Sequence, residues 1–302
     1  MAMEISTPAP RGFSFRRTAI SHGWYALRPF ELDQVNWTLT RVIDMGEARP
    51  VTVKVSESPG AIKVGVGRRL GKRAAEKVLR DVRHMLRLDD DLLEFYEMVR
   101  KDSDFEWIAG AGAGRMLRSP AVFEDVVKTI CTTNCSWALT EKMVGAMVDA
   151  LGRESDDGLR AFPTPEAMAA VPEKFYRDEV RAGYRAPYLA ELARRVAEGK
   201  LDVESWLTSD LPTKELQREM KRVKGVGDYA AENLLKLVGR YDCLALDSWV
   251  RAKFARARNR GRPTPDKKIE RYYSRFGMWR GLALWCDMTR DWLEEERHAR
   301  KL

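Results

Sequence analysis

The chain has 302 residues, 44% of them hydrophobic and 32% charged, which is long enough for two domains of ordinary size, each with an apolar core. Lys and Arg number 53 against 45 Asp and Glu, a formal net charge of +8 that favours a polyanionic partner. No apolar window approaches the length of a membrane span, the first ten residues lack the charged start and apolar core of a secretory signal, and Cys131, Cys135, Cys243 and Cys286 form no Cys-x-x-Cys pair, so membrane proteins, disulfide scaffolds and zinc modules are set aside.

In chain order, residues 11–70 predict a small antiparallel sheet. Phe13-Ser14-Phe15-Arg16, residues 37–42, 51–55 and 62–66 are alternating or β-branched, and Met45-Gly46-Glu47 and Ser58-Pro59-Gly60 are turn signals between them. The cluster Ser21-His22-Gly23-Trp24-Tyr25 reads either as aromatic core of that sheet or as a pocket wall. From Lys72 the chain turns helical. Residues 72–88 place Val78, Val82, Met85 and Leu86 at helical spacing, and residues 91–99 repeat the pattern. The run Gly110-Ala111-Gly112-Ala113-Gly114 reads as a flexible break, so the expected division is 1–110, the sheet with its following helices, and 111–302, a helical domain.

Ser119 and Pro120 open a long helix with Phe123, Val126, Val127 and Ile130 as its buried stripe. The polar cluster Thr132-Thr133-Asn134 after it is either a surface for a polyanion or a loop in which a threonine caps the next helix. Thr164 and Pro165 signal another helix start. At Ala182-Gly183-Tyr184-Arg185 an aromatic stands between a glycine and an arginine, suited to intercalation with phosphate pairing or to stapling the helix that follows.

The most informative stretch begins at Asp210. Residues 213–222 carry Leu216 and Met220 on one face, break at Lys224-Gly225-Val226-Gly227, and resume as Tyr229, Ala230, Leu234, Leu237 and Val238 behind Asp228, a candidate cap. Two glycines one residue apart at a helix start leave backbone N–H groups uncovered, and the helix dipole favours an anion there. Such a hairpin, spanning 213–238, can hold a nucleic-acid backbone through Gly225, Val226 and Gly227 without reading sequence; a plain tight turn is the alternative. An apolar segment, residues 241–246, then leads to Asp247 and a helix in which Arg251, Lys253, Arg256, Arg258, Arg260 and Arg262 meet no acidic residue. That basic run is a solvated face or a phosphate-contacting one. The aromatic residues between 267 and 292 are read mostly as core.

Hairpin, apolar segment, aspartate and amphipathic helix in this order and spacing resemble the helix-hairpin-helix DNA glycosylases. The resemblance implies an α+β fold, mostly helical with an N-terminal antiparallel β-sheet domain, and places the catalytic carboxylate on Asp247. It further implies that Asn134 fills the hole left by an extruded base, that Tyr184 wedges into the stack beside the phosphate-pairing Arg185, and that Arg251 joins the hairpin in holding DNA. Tyr229, Trp249 and Trp285 are placed nearest the base. Members that also cut the strand carry a lysine four residues after the first hairpin glycine; here that position is Tyr229, so no Schiff base is expected and water is the nucleophile. The four-cysteine spacing of iron–sulfur relatives is missing, so no cofactor and no metal are implied beyond room for a monovalent cation at the hairpin.

The implied function is a monofunctional glycosylase of base excision repair, acting as a cytoplasmic monomer on double-stranded DNA with a damaged base. Tyr229 and the C-terminal helices resemble the branch for alkylated purines such as 3-methyladenine, the preferred expectation. Asn134 and Tyr184 resemble the 8-oxoguanine branch. A non-catalytic helix-hairpin-helix DNA binder is the further alternative, against which Asp247 stands.

Overall fold

The computed structural model describes residues 2–292; residues 1 and 293–302, the outer ends of the two expected segments, lie outside the described residues. The fold is α+β. One five-stranded antiparallel sheet is formed by β1 (Met3–Pro8), β2 (Phe30–Asp33), β3 (Thr38–Met45), β4 (Ala48–Ser58) and β5 (Ala61–Val66), in the spatial order β1-β5-β4-β3-β2. The two turns read from sequence close hairpins: Met45 pairs with Ala48 across Gly46, and Ser58 with Ala61 across Gly60, both glycines at positive φ.

The segment Phe13–Arg16 is not a strand. Ser14 caps a short helix, Phe15–Ala19, its hydroxyl accepting from the Arg17 N–H while the Thr18 hydroxyl donates to the Ser14 carbonyl. The edge positions are taken by β1 and by the four-residue β2, which is too short to show a period.

Alternate residues of β3, β4 and β5, among them Leu39, Val53, Val55, Ile62 and Val64, are fully buried and share one apolar cluster with helices Lys72–Leu86, Val122–Thr132 and Trp137–Leu151 and both helices of the hairpin. A second cluster joins Leu93–Val99 and Glu106–Gly110 to the C-terminal helices Ser248–Arg258, Asp266–Tyr273 and Arg280–Met288. The glycine run between 110 and 114 is held rather than free: Gly112 packs so closely on the Gly12 carbonyl that a Cβ would lie 2.1 Å from its oxygen. No helix among the described residues is long and apolar enough to cross a membrane.

Val122–Thr132 is buried on nearly every side and starts at Val122 rather than at Ser119. Its first N–H groups are taken by a carboxylate from far along the chain, Glu204, which accepts from Val122 and Phe123 at 2.9 Å each. Sequence inspection sees only local caps and misses this one. The polar residues of the helix are buried with partners from the sheet side. Glu124 binds Arg41 at 3.0 and 2.5 Å and Lys128 at 2.7 Å, and both cations lie over the Phe30 ring. Although burial raises the Glu124 carboxyl, these two cations hold it below its ordinary range. Removing one member of such a group would strand the others without water, at a cost of about 3–5 kcal/mol.

Asp125, next in sequence, accepts from the Trp24 ring N–H at 2.7 Å and the Ser119 N–H at 3.0 Å, and burial pushes its carboxyl up to about 6. An unfolded aspartate titrates near about 4, so the native state binds this proton more tightly, and the contribution of Asp125 grows as the pH falls from 6 towards 4. Denaturant unfolding of wild type and Asp125→Asn across pH 4–7 tests this. The stability of the wild type relative to the variant is expected to rise as the pH falls, and a pH-independent difference would contradict it.

Candidate active site

Asp247 reaches its position through three constraints on the segment before it. Gly281, near the start of the Arg280–Met288 helix, donates its N–H to the Tyr241 carbonyl at 2.7 Å and lies so close that a Cβ would be 2.0 Å from the Cys243 carbonyl oxygen. Lys236, fully buried on the second hairpin helix, donates to the Leu244 carbonyl at 3.1 Å. Ala245 then turns the chain at φ +53°, a left-handed conformation disfavoured for a residue with a Cβ and held here by its surroundings. Asp247 follows as the N-cap of Ser248–Arg258, with Oδ1 accepting from the Val250 N–H at 2.6 Å. The cap fixes one carboxylate oxygen and sets the group at the positive end of the helix dipole.

Asp247 stands in the wall of a cavity of about 910 Å³ at the seam between the two apolar clusters. Of the residues singled out from sequence, Gly225, Gly227, Asn134, Tyr184, Arg251, Tyr229, Trp249 and Trp285 line it too; Val226 and Arg185 do not. The Trp249 and Trp285 rings are tilted 47° to one another with centroids 5.9 Å apart, and the Trp285 ring N–H donates to the Ser21 carbonyl at 2.8 Å. Burial and the nearby Asp247 carboxylate both raise the Tyr229 hydroxyl above its ordinary range.

Several wall residues were not assigned from the sequence. His22, Gly23 and Trp24 supply one side, so that the unusual cluster is both core and wall: Trp24 is 7% exposed and still lines the cavity. Trp137 covers Gly23, where a Cβ would lie 2.3 Å from its ring. The composition of Ser21-His22-Gly23-Trp24-Tyr25 was the available signal, but nothing local says that a helix start more than a hundred residues later lies over it.

At the hairpin, Gly225 sits at φ +89° with Tyr188 against it, 2.9 Å from where a Cβ would be, while the space beside Gly227 is open. Val226 is buried and its N–H bonds the Val223 carbonyl. Asp228 does not cap the second helix, Asp228–Leu237; it is the first helical residue and pairs with Lys221 at 2.5 Å. The N-terminus of that helix, beside Gly227, is exposed, a geometry in which free backbone N–H groups can accept an anion.

Across the cavity mouth, Asn134 is exposed at φ +46° and donates to the Tyr184 hydroxyl at 3.4 Å; Ser136, not a threonine, caps the next helix. Tyr184 is 50% exposed. Arg185, expected at a phosphate, is buried instead: its guanidinium donates to the carbonyl and hydroxyl of Thr133 and lies under the Tyr184 ring, so it shapes the Asn134 loop. Arg251 lines the cavity but is held bidentate by Asp266 at 2.8 and 3.0 Å. Lys253 pairs with Asp291, and Arg258 with Asp287 and Asp104. Half of the basic run is therefore paired within the protein.

No protein-family model matches the chain. A DNA-3-methyladenine glycosylase of Bacillus subtilis is 25% identical over 268 residues, covering 82% of this chain and 87% of that protein. A probable N-glycosylase/DNA lyase of Methanothermobacter thermautotrophicus is 24% identical over 68% of this chain and 71% of its own length. Among solved structures, a 3-methyladenine DNA-glycosylase from Archaeoglobus fulgidus superposes with a TM-score of 0.76 at 22% identity, covering 96% of this chain and 99% of that one.

The contact at Gly281 gives a direct test of how the Asp247 segment is held. Gly281→Ala is expected to lower stability by roughly 2 kcal/mol or more in thermal or denaturant unfolding, because the added methyl meets a backbone carbonyl that has no room to move. The matched change Gly145→Ala, in a helix with open space around it, should leave stability unchanged or raise it by up to about 1 kcal/mol. Equal effects of the two would contradict the close approach.

Proposed function

We propose, for a chain whose homologues are DNA glycosylases and whose fold is that of the helix-hairpin-helix members of that group, that it works by water attack alone: it extrudes a modified purine from duplex DNA, hydrolyses the N-glycosidic bond and leaves an abasic site. The observation that carries this reading is Asp247, a carboxylate fixed by its helix cap in the wall of an aromatic cavity. Breaking the bond to the base builds positive charge on the sugar. A carboxylate held next to C1′ stabilises that charge and orients water without reorganising.

The lysines near the hairpin in sequence do not offer an amine in place of water. Tyr229 occupies the place from which an attacking lysine would come, Lys236 is fully buried, and Lys224 is paired with Glu191 at 2.6 Å. The extruded nucleotide would be held by the Gly225–Gly227 turn on its phosphates, with Tyr184 entering the stack and Asn134 filling the vacated position. Tyr229, Trp249 and Trp285 offer flat faces to the purine. Extrusion costs a few kcal/mol, offset by these contacts.

Asp247→Asn keeps an oxygen for the Val250 N–H and removes the charge. Excision, read as alkali-labile sites in an oligonucleotide carrying one modified purine, is expected to fall by at least about a hundredfold while duplex binding by fluorescence anisotropy is unchanged. Borohydride added to the wild-type reaction should trap no covalent adduct. Near-normal turnover by the variant, or a trapped lysine adduct in the wild type, would overturn the proposal.

A further inference from the structure

Arg251 is held in a way that its local sequence does not ask for. It ends the first turn of Ser248–Arg258, where the positive end of the helix dipole disfavours a cation, and it follows Asp247 by four residues, its N–H donating to the Asp247 carbonyl at 3.0 Å. An acid followed at that spacing by a base is the ordinary ion pair of a helix. The expected local contact is therefore Arg251 on the Asp247 carboxylate. Among the described residues Arg251 is the one lysine or arginine lining the cavity, and the other carboxylate there, Asp228, is already paired with Lys221.

That contact is not made. The guanidinium is turned instead to Asp266, the first residue of Asp266–Tyr273, whose Oδ1 and Oδ2 accept from Nε and Nη2 at 2.8 and 3.0 Å. The bonds to Asp266 raise the Arg251 guanidinium above its ordinary range, and the Asp247 charge adds to this, so the cation lies within the field of both acids. Of the two Asp247 oxygens, Oδ1 accepts from the Val250 N–H, while Oδ2 takes no hydrogen bond among the described residues. Arg251 and Asp266 are each nearly half exposed, so their pair adds little to stability; its two parallel bonds fix a direction.

We propose that Asp266 is a positioning residue for excision: by gripping Arg251 through two guanidinium nitrogens it keeps that cation off Asp247 and leaves Oδ2 to the sugar. The inference rests on the hydrolytic reading of Asp247. In that reaction positive charge gathers on the sugar as the bond to the base breaks, and an unpaired carboxylate stabilises it. A guanidinium bonded to the carboxylate would cancel its field and set a like charge beside the sugar. Asp266 acts only through Arg251, so its effect on the rate exists only while Arg251 is present.

Single-turnover excision, read as released base, is followed on a duplex carrying one 7-methylguanine or one 8-oxoguanine, whichever the wild type cleaves faster. Asp266→Ala frees the guanidinium, and the rate is expected to fall by at least about tenfold while duplex affinity by fluorescence anisotropy and melting temperature stay close to those of the wild type. Asp266→Glu, which keeps a carboxylate for Arg251, should retain most of the rate. Adding Arg251→Gln to Asp266→Ala should raise the rate again, because no cation is left to turn inward. A fall that persists in the double variant, or is as large in Asp266→Glu, would mark Asp266 as merely structural and overturn the inference. An unchanged rate in Asp266→Ala would also overturn it, whether or not duplex binding becomes tighter and more salt-dependent as the freed arginine takes a phosphate. Wild-type turnover by Asp247→Asn, or no base released from either duplex by the wild type, would instead overturn the underlying reading.

Discussion

The site depends on how closely the backbone of residues 241–247 can approach the helix behind it. Gly281 lets the Tyr241 and Cys243 carbonyls lie directly against Arg280–Met288, Lys236 takes the Leu244 carbonyl from the other side, and Ala245 absorbs the resulting turn at positive φ. Only then does the chain enter Ser248–Arg258 with Asp247 as its cap. A carboxylate on a long mobile loop would have to be ordered at each turnover. Here its placement is secured by backbone hydrogen bonds and a missing Cβ, before any ligand arrives.

The same economy runs through the rest of the molecule. The two apolar clusters meet at the cavity, so its walls are also the surfaces that hold the molecule together. Trp24 is simultaneously sheet core, cavity wall and donor to Asp125 on the long buried helix. The sheet is thereby tied to the helix that carries the Asn134 loop, with Arg41, Glu124 and Lys128 as a second tie. Cations show a similar division. Those on the Ser248–Arg258 helix are mostly paired with Asp266, Asp287 and Asp291, which orders the helix and limits the free positive charge it presents to a polyanion. The hairpin, with open space at Gly227 and an exposed helix start, offers neutral backbone donors instead.

Much of this was legible in the sequence because it is local. The hairpin, the aspartate leading into the Ser248–Arg258 helix, the Thr164-Pro165 helix start and the turns at Gly46 and Gly60 are each specified by residues within a few positions of one another. What was not legible is contact at a distance. The cap on Val122 comes from Glu204, the wall at Gly23 from Trp137, and the tie on the Asp247 segment from Lys236 and Gly281. Arg185 shows the converse error, since an arginine beside an exposed tyrosine has the composition of a phosphate contact while the fold spends its donors on Thr133. Burial is set by tertiary packing, and a motif does not record which of its charged residues will be enclosed.

The most direct test of the account is a crystal structure of Asp247→Asn bound to duplex DNA with a single modified purine. The account predicts the purine extruded into the cavity against Trp285, the sugar C1′ within about 4 Å of the side chain at position 247, and phosphates on the Gly225–Gly227 turn. A nucleotide that remains stacked in the duplex, or one held elsewhere with the carboxylate position facing away from its sugar, would contradict it.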